Sequence, residues 1–333
     1  MEIRRVDPED KEAVQELARI NTEAESFENP YPTPRTTQEQ REELRNRDPS
    51  MSVEAYLGYV DGQPVVSGSF EAPVNDNMEK VWCLVNVAPS DRRRGHGSWM
   101  AEYLMASAQD RGRTTLMTSV GYPFDADESH PDRRFAAKHG FRFSQSAVHR
   151  VLKLPADREA LDQLMTDAEP HHGGYIFRDF VGVPPAEILE GYCVLLNNIL
   201  VDAPSGELEY EPGSETSDSL TARVASMADV GRTLYTNIAF DETGVPVAHS
   251  QLVVPEHDPG KVFQWDTLVH RGHRGHRLGI ATKVRNLKVV QGLHPNRTTL
   301  HTWNAESNRP MIAVNDAMGF VPVRYEGEYY RTL

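Results

Sequence analysis

The densest cluster of chemistry-bearing residues lies in the stretch "LVHRGHRGHRLGIATKV", which alternates His270, His273 and His276 with Arg271, Arg274 and Arg277. Three imidazoles could hold zinc, and three guanidinium groups could hold phosphate oxygens. A row of cations could also track a nucleic-acid backbone. The interleaved arginines would repel a metal cation, and no carboxylate or thiolate stands nearby in sequence, so no metal is expected. The whole chain carries a formal net charge of -14 and has a pI near 5.4. That charge argues against a general nucleic-acid or anionic-membrane surface. A local basic patch on an acidic molecule suits the holding of one small anionic group.

With 333 residues the chain exceeds the usual single-domain size, and 39% hydrophobic with 25% charged residues is an ordinary globular composition. About two domains are expected, each long enough to bury a core. Cys83 and Cys193 are too few for a disulfide scaffold and stand in apolar surroundings, which fits core packing in a reducing compartment. The N-terminal "MEIRRVDPEDKEAV" lacks an apolar signal core, and no apolar run approaches the ~18 residues of a membrane span. A cytoplasmic protein is the resulting expectation.

The basic stretch has a partner. "RRRGHGSWMAEYL", residues 92–104, also sets arginine, histidine and glycine before a helical pattern. A shift of 182 positions matches Gly62 with Gly244, Pro64 with Pro246, Val65 with Val247, Val87 with Val269, Arg92 with Arg274 and Gly97 with Gly279. The dipeptides Gly140-Phe141 and Gly319-Phe320 continue the series at a shift of 179. An ordered series at nearly constant offset marks a diverged duplication. Each half reads strand, helix, hairpin, apolar strand, basic loop, amphipathic helix, strand, short helix, closing strands. Asp7 is the expected cap of the first helix with Pro8 at its first position. The expected limits are 1–154 for the first domain, 155–174 for a linking helix and turn, and 175–333 for the second domain.

Both basic loops join an apolar strand to a helix start, where unpaired N–H groups and the helix dipole favour an anion. A pyrophosphate would suit such a loop. The order of elements, with "VAPSDRRRGHG", "VHRGHRGHRLG" and "NAESNRPMIAVNDAMGF" in their places, resembles the GNAT superfamily of N-acetyltransferases. The family pattern Gln/Arg-x-x-Gly-x-Gly/Ala is met by Arg92, Gly95 and Gly97. In the second half Arg274 and Gly279 match, while Arg277 replaces the first glycine. The resemblance implies an α/β (α+β) chain of two tandem GNAT folds, each a mixed central sheet flanked by helices. The layout is similar to that of the mycothiol synthases, without fixing their substrate.

The resemblance further implies acetyl-CoA as co-substrate. Its pyrophosphate would lie on Arg92, Arg93, Arg94, Gly95, His96 and Gly97, or on Arg274, Gly275, His276, Arg277, Leu278, Gly279 and Ile280. Its pantetheine arm would pair with Leu268 and Val269, or with Asn86 and Val87 if the first site works. Asn304 and Asn308 stand where family members hold that arm or cap the following helix.

Direct attack by an amine needs no protein nucleophile, only a base and a proton for the leaving thiolate. Asp266, in "QWDTLV", is the first candidate base, because a charge in an apolar strand is costly unless used or paired. His249 and Glu211 are weaker choices. The family's tyrosine acid falls on Asn315 in the second half and Ala136 in the first, and neither can protonate a thiolate. Tyr325, Tyr329, Tyr330 or water would have to serve. The second half is therefore the expected catalytic one, with the first degenerate. The acceptor is expected to be a small-molecule primary amine. The carboxylates of residues 203–218 would draw a cationic one, although a solvated loop accounts for them more simply. No nucleic acid or membrane partner is expected, and the chain is expected to be a monomer or homodimer. A CoA-binding protein without turnover is the alternative that the missing tyrosines permit.

Overall fold

A computed structural model describes residues 2–45 and 48–333. In chain order the elements are β1 (Glu2–Arg5), α1 (Lys11–Ser26), α2 (Thr37–Leu44), β2 (Met51–Val60), β3 (Gln63–Pro73), β4 (Lys80–Val87), α3 (His96–Asp110), β5 (Thr115–Tyr122), α4 (Pro131–Lys138) and β6 (Arg142–Lys153). There follow α5 (Arg158–Ala168), β7 (Ile176–Val181), α6 (Ala186–Leu196), α7 (Ile199–Asp202), α8 (Ser217–Asp229), β8 (Arg232–Phe240), β9 (Pro246–Pro255), β10 (Lys261–Val269), α9 (Leu278–Leu293), β11 (Thr299–Ala305), α10 (Arg309–Met318) and β12 (Val321–Thr332).

The chain forms two compact units, and neither is one continuous segment. Unit 1 is Met1–Ala147, Gly206–Leu208 and Val323–Leu333; unit 2 is Val148–Ser205 and Glu209–Pro322. The sheet of unit 1 runs β1-β2-β3-β4-β5-β12 and ends on the first half of β6. Its β12 pairs with β5 from Tyr325 opposite Tyr122 to Thr332 opposite Thr115. The sheet of unit 2 begins with the second half of β6 and runs β11-β10-β9-β8-β7. In both, the parallel pair sits among antiparallel ones, so each sheet is mixed. The chain's last strand thus belongs to the unit built mainly from the first half.

The helices pack on both faces of each sheet. In unit 1, Val14, Leu17 and Ile20 of α1 close one core, and Met100 and Leu104 of α3 close another with Val66, Phe70 and Val81. In unit 2, α6 and α8 cover one face with Tyr192, Leu195, Leu220 and Val224 against Ile238, Val253 and Leu268. Helix α9 covers the other with Val284, Leu287 and Val290 against Leu252, Val262 and Leu300. Cys83 and Cys193 lie in these cores as free thiols. Burial pushes their pKa values up to about 12 and about 11, which keeps them protonated and inert.

The duplication extends to individual hydrogen bonds. Thr114 and Thr115 N–H both donate to the Glu79 carbonyl, and Thr298 and Thr299 N–H both donate to that of Gly260. Lys80 stands opposite Thr115 as Lys261 stands opposite Thr299.

One expected cap needs correction, and two helices stand outside the order read from the sequence. Helix α1 begins after Asp10, not Asp7, because the Asp10 carboxylate accepts from the Glu12 and Ala13 N–H groups. Helix α2 stands between the first helix and the hairpin, held by a capping box between Thr36 and Glu39. Helix α8 follows the acidic segment directly. Thr216 and Ser219 cap it, and Leu220, Val224 and Met227 form its buried stripe. Among the described residues no helix is long and apolar enough to cross a membrane.

Candidate active site

In each unit the parallel strands part after three register pairs. β4 and β5 pair at Lys80–Thr115, Val81–Leu116 and Trp82–Met117. β10 and β11 pair at Lys261–Thr299, Val262–Leu300 and Phe263–His301. Beyond those points each strand leaves one edge without ladder partners, a place where an extended chain can add as a strand. Val87 and Leu268–Val269 lie on such edges.

The basic loops follow, and their side chains have specific tasks. Arg92 Nε donates to the Val87 carbonyl at 3.1 Å. Arg274 Nε donates to the Val269 carbonyl at 3.3 Å. The two arginines thus brace their own loops in the same way. Arg274 also pairs with Asp202 at 2.8 Å, and Arg271 pairs with the same carboxylate, which is almost wholly buried. His273 Nδ1 meets the Tyr175 hydroxyl at 2.9 Å, and His276 Nδ1 meets the His171 carbonyl at 3.0 Å. His270 Nδ1 accepts from the Gly272 N–H at 3.3 Å. The three imidazoles therefore take three different partners. Arg277 stands in the left-handed region at φ 53° and donates to the Asp167 carbonyl; Gly275 precedes it at φ 88°. In unit 1, Gly95 takes the corresponding left-handed turn at φ 90° and Arg93 has φ 65°. Arg94 pairs with Asp91, and His96 is buried at the helix start.

What the loops leave for an anion is the row of first-turn N–H groups of α3 and α9, around Gly97 and around Leu278, Gly279 and Ile280. The two cradles differ in room. A Cβ on Gly97 would lie 3.3 Å from the Phe135 ring, whereas on Gly279 its nearest neighbour would be Val269 at 3.5 Å.

Strand β10 differs from β4 by one residue. Gln264 opposes Leu252 and Thr267 opposes Ser250, so Trp265 and Asp266 together oppose Gln251. In β4 the register with β3 runs through Leu84 and Asn86 without a shift. A bulge re-aims side chains, and this one turns Trp265 and Asp266 toward the face covered by α6 and α8. Asp266 is exposed at the surface, yet burial raises its pKa above the usual carboxylate range, against the opposing pull of Arg223. The pull of Arg223 on α8 sets Asp266 on the α6 and α8 side of the sheet.

Beside it lies a buried polar set that the sequence reading only touched through His249. The Tyr192 hydroxyl meets His249 Nδ1 at 2.9 Å and accepts from Gln251 Nε2 at 3.0 Å. Burial lowers the His249 pKa to about 3, with Arg223 adding to the effect, so the ring is neutral at ordinary pH. His249 Nε2 has no hydrogen-bond partner among the described residues. Arg223 itself is held by Glu215 at 2.8 Å. Tyr192 carried no motif in the sequence; only the helical spacing of α6 toward the sheet could have pointed to it.

Asn315 is fully buried on α10. Its amide donates to Asn304 Oδ1, and its oxygen accepts from Lys283 Nζ at 2.8 Å. Asn308 caps α10 by accepting from the Met311 N–H at 3.3 Å. Asp266, Asn304, Asn308 and Asn315 all belong to unit 2. Tyr325 does not: it lies on β12 in unit 1, with its ring 5.7 Å from Tyr122 and 4.9 Å from Phe124. Tyr330 in unit 1 donates to Glu207 at 2.7 Å. Of the acidic segment, Glu207 and Glu215 are thus already paired, and Glu211 also has a partner.

No family model matches the sequence, and no curated protein matches it. Among solved structures, the chain is similar to a tandem GNAT protein from the clavulanic acid biosynthesis pathway, determined without acetyl-CoA. The TM-score is 0.78 with 24% sequence identity, over 99% of this chain and 98% of that one. It is also similar to a GCN5-related N-acetyltransferase from Sphaerobacter thermophilus, with a TM-score of 0.65, 14% identity, and 99% and 95% of the two chains covered. The fold is therefore that of tandem GNAT proteins: two GNAT folds in one chain.

Proposed function

We propose that the chain is an acyl-CoA-dependent N-acyltransferase that moves an acetyl group from acetyl-CoA to a primary amine, with its working site in unit 2. The observation that carries this reading is the bulge of β10, which sets the exposed carboxylate of Asp266 beside the parting of β10 and β11. In unit 1, β4 parts from β5 in the same way, but its register with β3 has no shift and Leu84 stands at the matching place.

The residues present suit an acyl-CoA. The first-turn N–H groups of α9 would take the pyrophosphate, and the unpaired edge of β10 at Leu268 and Val269 would take the pantetheine arm. The thioester supplies an acyl carbon open to attack and a sulfur able to leave. Asp266, ionised, removes a proton from the incoming ammonium directly or through water, which frees the nitrogen lone pair. The new C–N bond forms as the C–S bond breaks. Asn315 carries no acidic proton, so the sulfur takes its proton from the attacking nitrogen or from water. Asn315 holds both Asn304 and Lys283, tying α10 to β11 and α9, a positioning role. A CoA-binding protein without turnover is the second reading, favoured by the amide at the acid position.

Calorimetric titration of acetyl-CoA tests the assignment. Gly279→Glu puts bulk and charge into the roomy cradle of α9 and is expected to weaken binding at least ~100-fold, the scale of a few kcal/mol, with little change in Tm. Gly97→Glu must displace Phe135 and is expected to lower Tm while leaving that binding intact. Loss of binding with Gly97→Glu alone would move the site to unit 1. Tight binding of acetyl-CoA with no release of CoA in the presence of any amine would favour the second reading.

A further inference from the structure

Phe263 and His301 form the last register pair before β10 and β11 part. Two residues further along each strand stands a tryptophan, Trp265 on β10 and Trp303 on β11. Side chains two apart share a face of a strand, so each diverging strand bears an indole at its first same-face position past the parting. That face is the one of Phe263, which packs against the α6 and α8 core, and it is the face toward which the bulge turns Asp266. Trp265 is 37% exposed, although large aromatic groups usually lie buried. Trp303 is half-buried and held flat, its ring stacked on His149 with centroids 4.3 Å apart at an interplanar angle of 7°. Phe263 lies nearly parallel to it at 16°.

Unit 1 offers a contrast. Two residues past its last pair, Trp82–Met117, stand Leu84 and Ser119. The paired indoles belong to the unit with the bulge and the carboxylate, not to the fold in general. The polar end of the same face is unfinished as well, because His249 Nε2 has no partner within the described residues. A flat apolar wall ending in a few polar groups is the make-up of a small-molecule pocket.

From this we infer that the acceptor is an arylalkylamine, its ring against Trp265 and Trp303 and its ammonium at Asp266. The inference rests on the transfer proposed above, and it names the class of the amine. A polyamine would leave both indoles in contact with water. An arylalkylamine covers them and places its single charge at Asp266.

The experiment compares 2-phenylethylamine with butylamine, reading both CoA release and acetylated product. The expected kcat/KM for 2-phenylethylamine is at least ~10-fold the higher, on the scale of a desolvated aromatic contact. Trp265→Ala and Trp303→Ala are expected to raise the KM for 2-phenylethylamine by about that factor and to leave butylamine within ~2-fold, with Trp265→Phe recovering most of the loss. Equal rates for the two amines, or equal losses for both in the tryptophan variants, would overturn the inference while leaving the transferase reading in place. Equilibrium binding, read from tryptophan fluorescence, separates the remaining cases. If 2-phenylethylamine quenches the wild type, and quenches Trp265→Phe and Trp303→Phe each to a lesser extent, yet no amine is acetylated, the aromatic site stands and the transferase reading falls. If it neither binds nor reacts, the inference falls.

Discussion

At the scale of single residues, Asp266 carries the heaviest claim, and its pKa gives a means of testing it. The folded-state pKa is raised, chiefly by burial, so the folded protein holds this proton more tightly than the unfolded chain does. The stability from that proton is present below the unfolded carboxylate value and is lost as pH rises through the folded one. At neutral pH the ionised carboxylate therefore opposes folding. Asp266→Asn is expected to keep or raise Tm at pH 7 while lowering kcat by about 10²- to 10⁴-fold, the range for loss of a general base. In the wild type the acidic limb of kcat/KM should lie above the ordinary carboxylate range. A variant that loses stability and activity together would assign Asp266 a structural role instead. The residue was legible in the sequence because a lone acid in "VFQWDTLV" breaks an apolar run. Trp265 and Trp303 were not, since their alignment depends on where two strands distant in sequence come into register and part.

At the scale of elements, the strand-loop-helix units were legible from glycine placement and helical periodicity, but the work of the loop arginines was not. Sequence reasoning gave Arg92 and Arg274 to phosphate and did not foresee that the Nε of each donates to the carbonyl that ends its strand. Asp202 on α7, which neutralises Arg271 and Arg274, lies far from them in sequence and had no motif. The link between α9 and α10 was equally hidden. Lys283 is an unremarkable helix residue in sequence, yet it is 1% exposed, and its ammonium donates to Asn315. Burial lowers its pKa to about 7. A lysine depressed in the folded state adds its full stability above the unfolded value near 10.5 and loses it as pH falls toward 7. The stability difference between wild type and Lys283→Met should therefore shift by a few kcal/mol in favour of the wild type from pH 7 to 10, at about 1.4 kcal/mol per pH unit of separation. Urea unfolding at both pH values checks this. A difference independent of pH would mean that Lys283 stays charged and solvated by its neighbours.

At the scale of the whole molecule, the tandem repeat was legible because the offset of 182 persists through turns, strand ends and helix starts. A repeat in sequence invites a cut midway, with each half folding alone, but the units are assembled otherwise. Val323–Leu333 belongs to unit 1, and Val148–Lys153, the second half of β6, belongs to unit 2. Sequence periodicity cannot reveal such an exchange, because a closing strand reads the same whichever sheet it joins. The exchange has a consequence for folding. A fragment of residues 1–154 lacks β12, so the edge of β5 that β12 occupies, from Thr115 to Tyr122, would be left as an open hydrogen-bonding edge, a liability for aggregation. A fragment of residues 155–333 lacks the β6 strand that borders β11. Each fragment alone is expected to be aggregated or to melt without a cooperative transition, and co-expression of the two is expected to give a soluble complex with a single sharp transition near that of the intact chain. Adding a peptide of residues 321–333 to the first fragment should recover part of its cooperativity, since that peptide supplies the missing strand. A fragment of residues 1–154 that unfolds cooperatively as a monomer would show that the first half completes its own sheet and that β12 is dispensable to it.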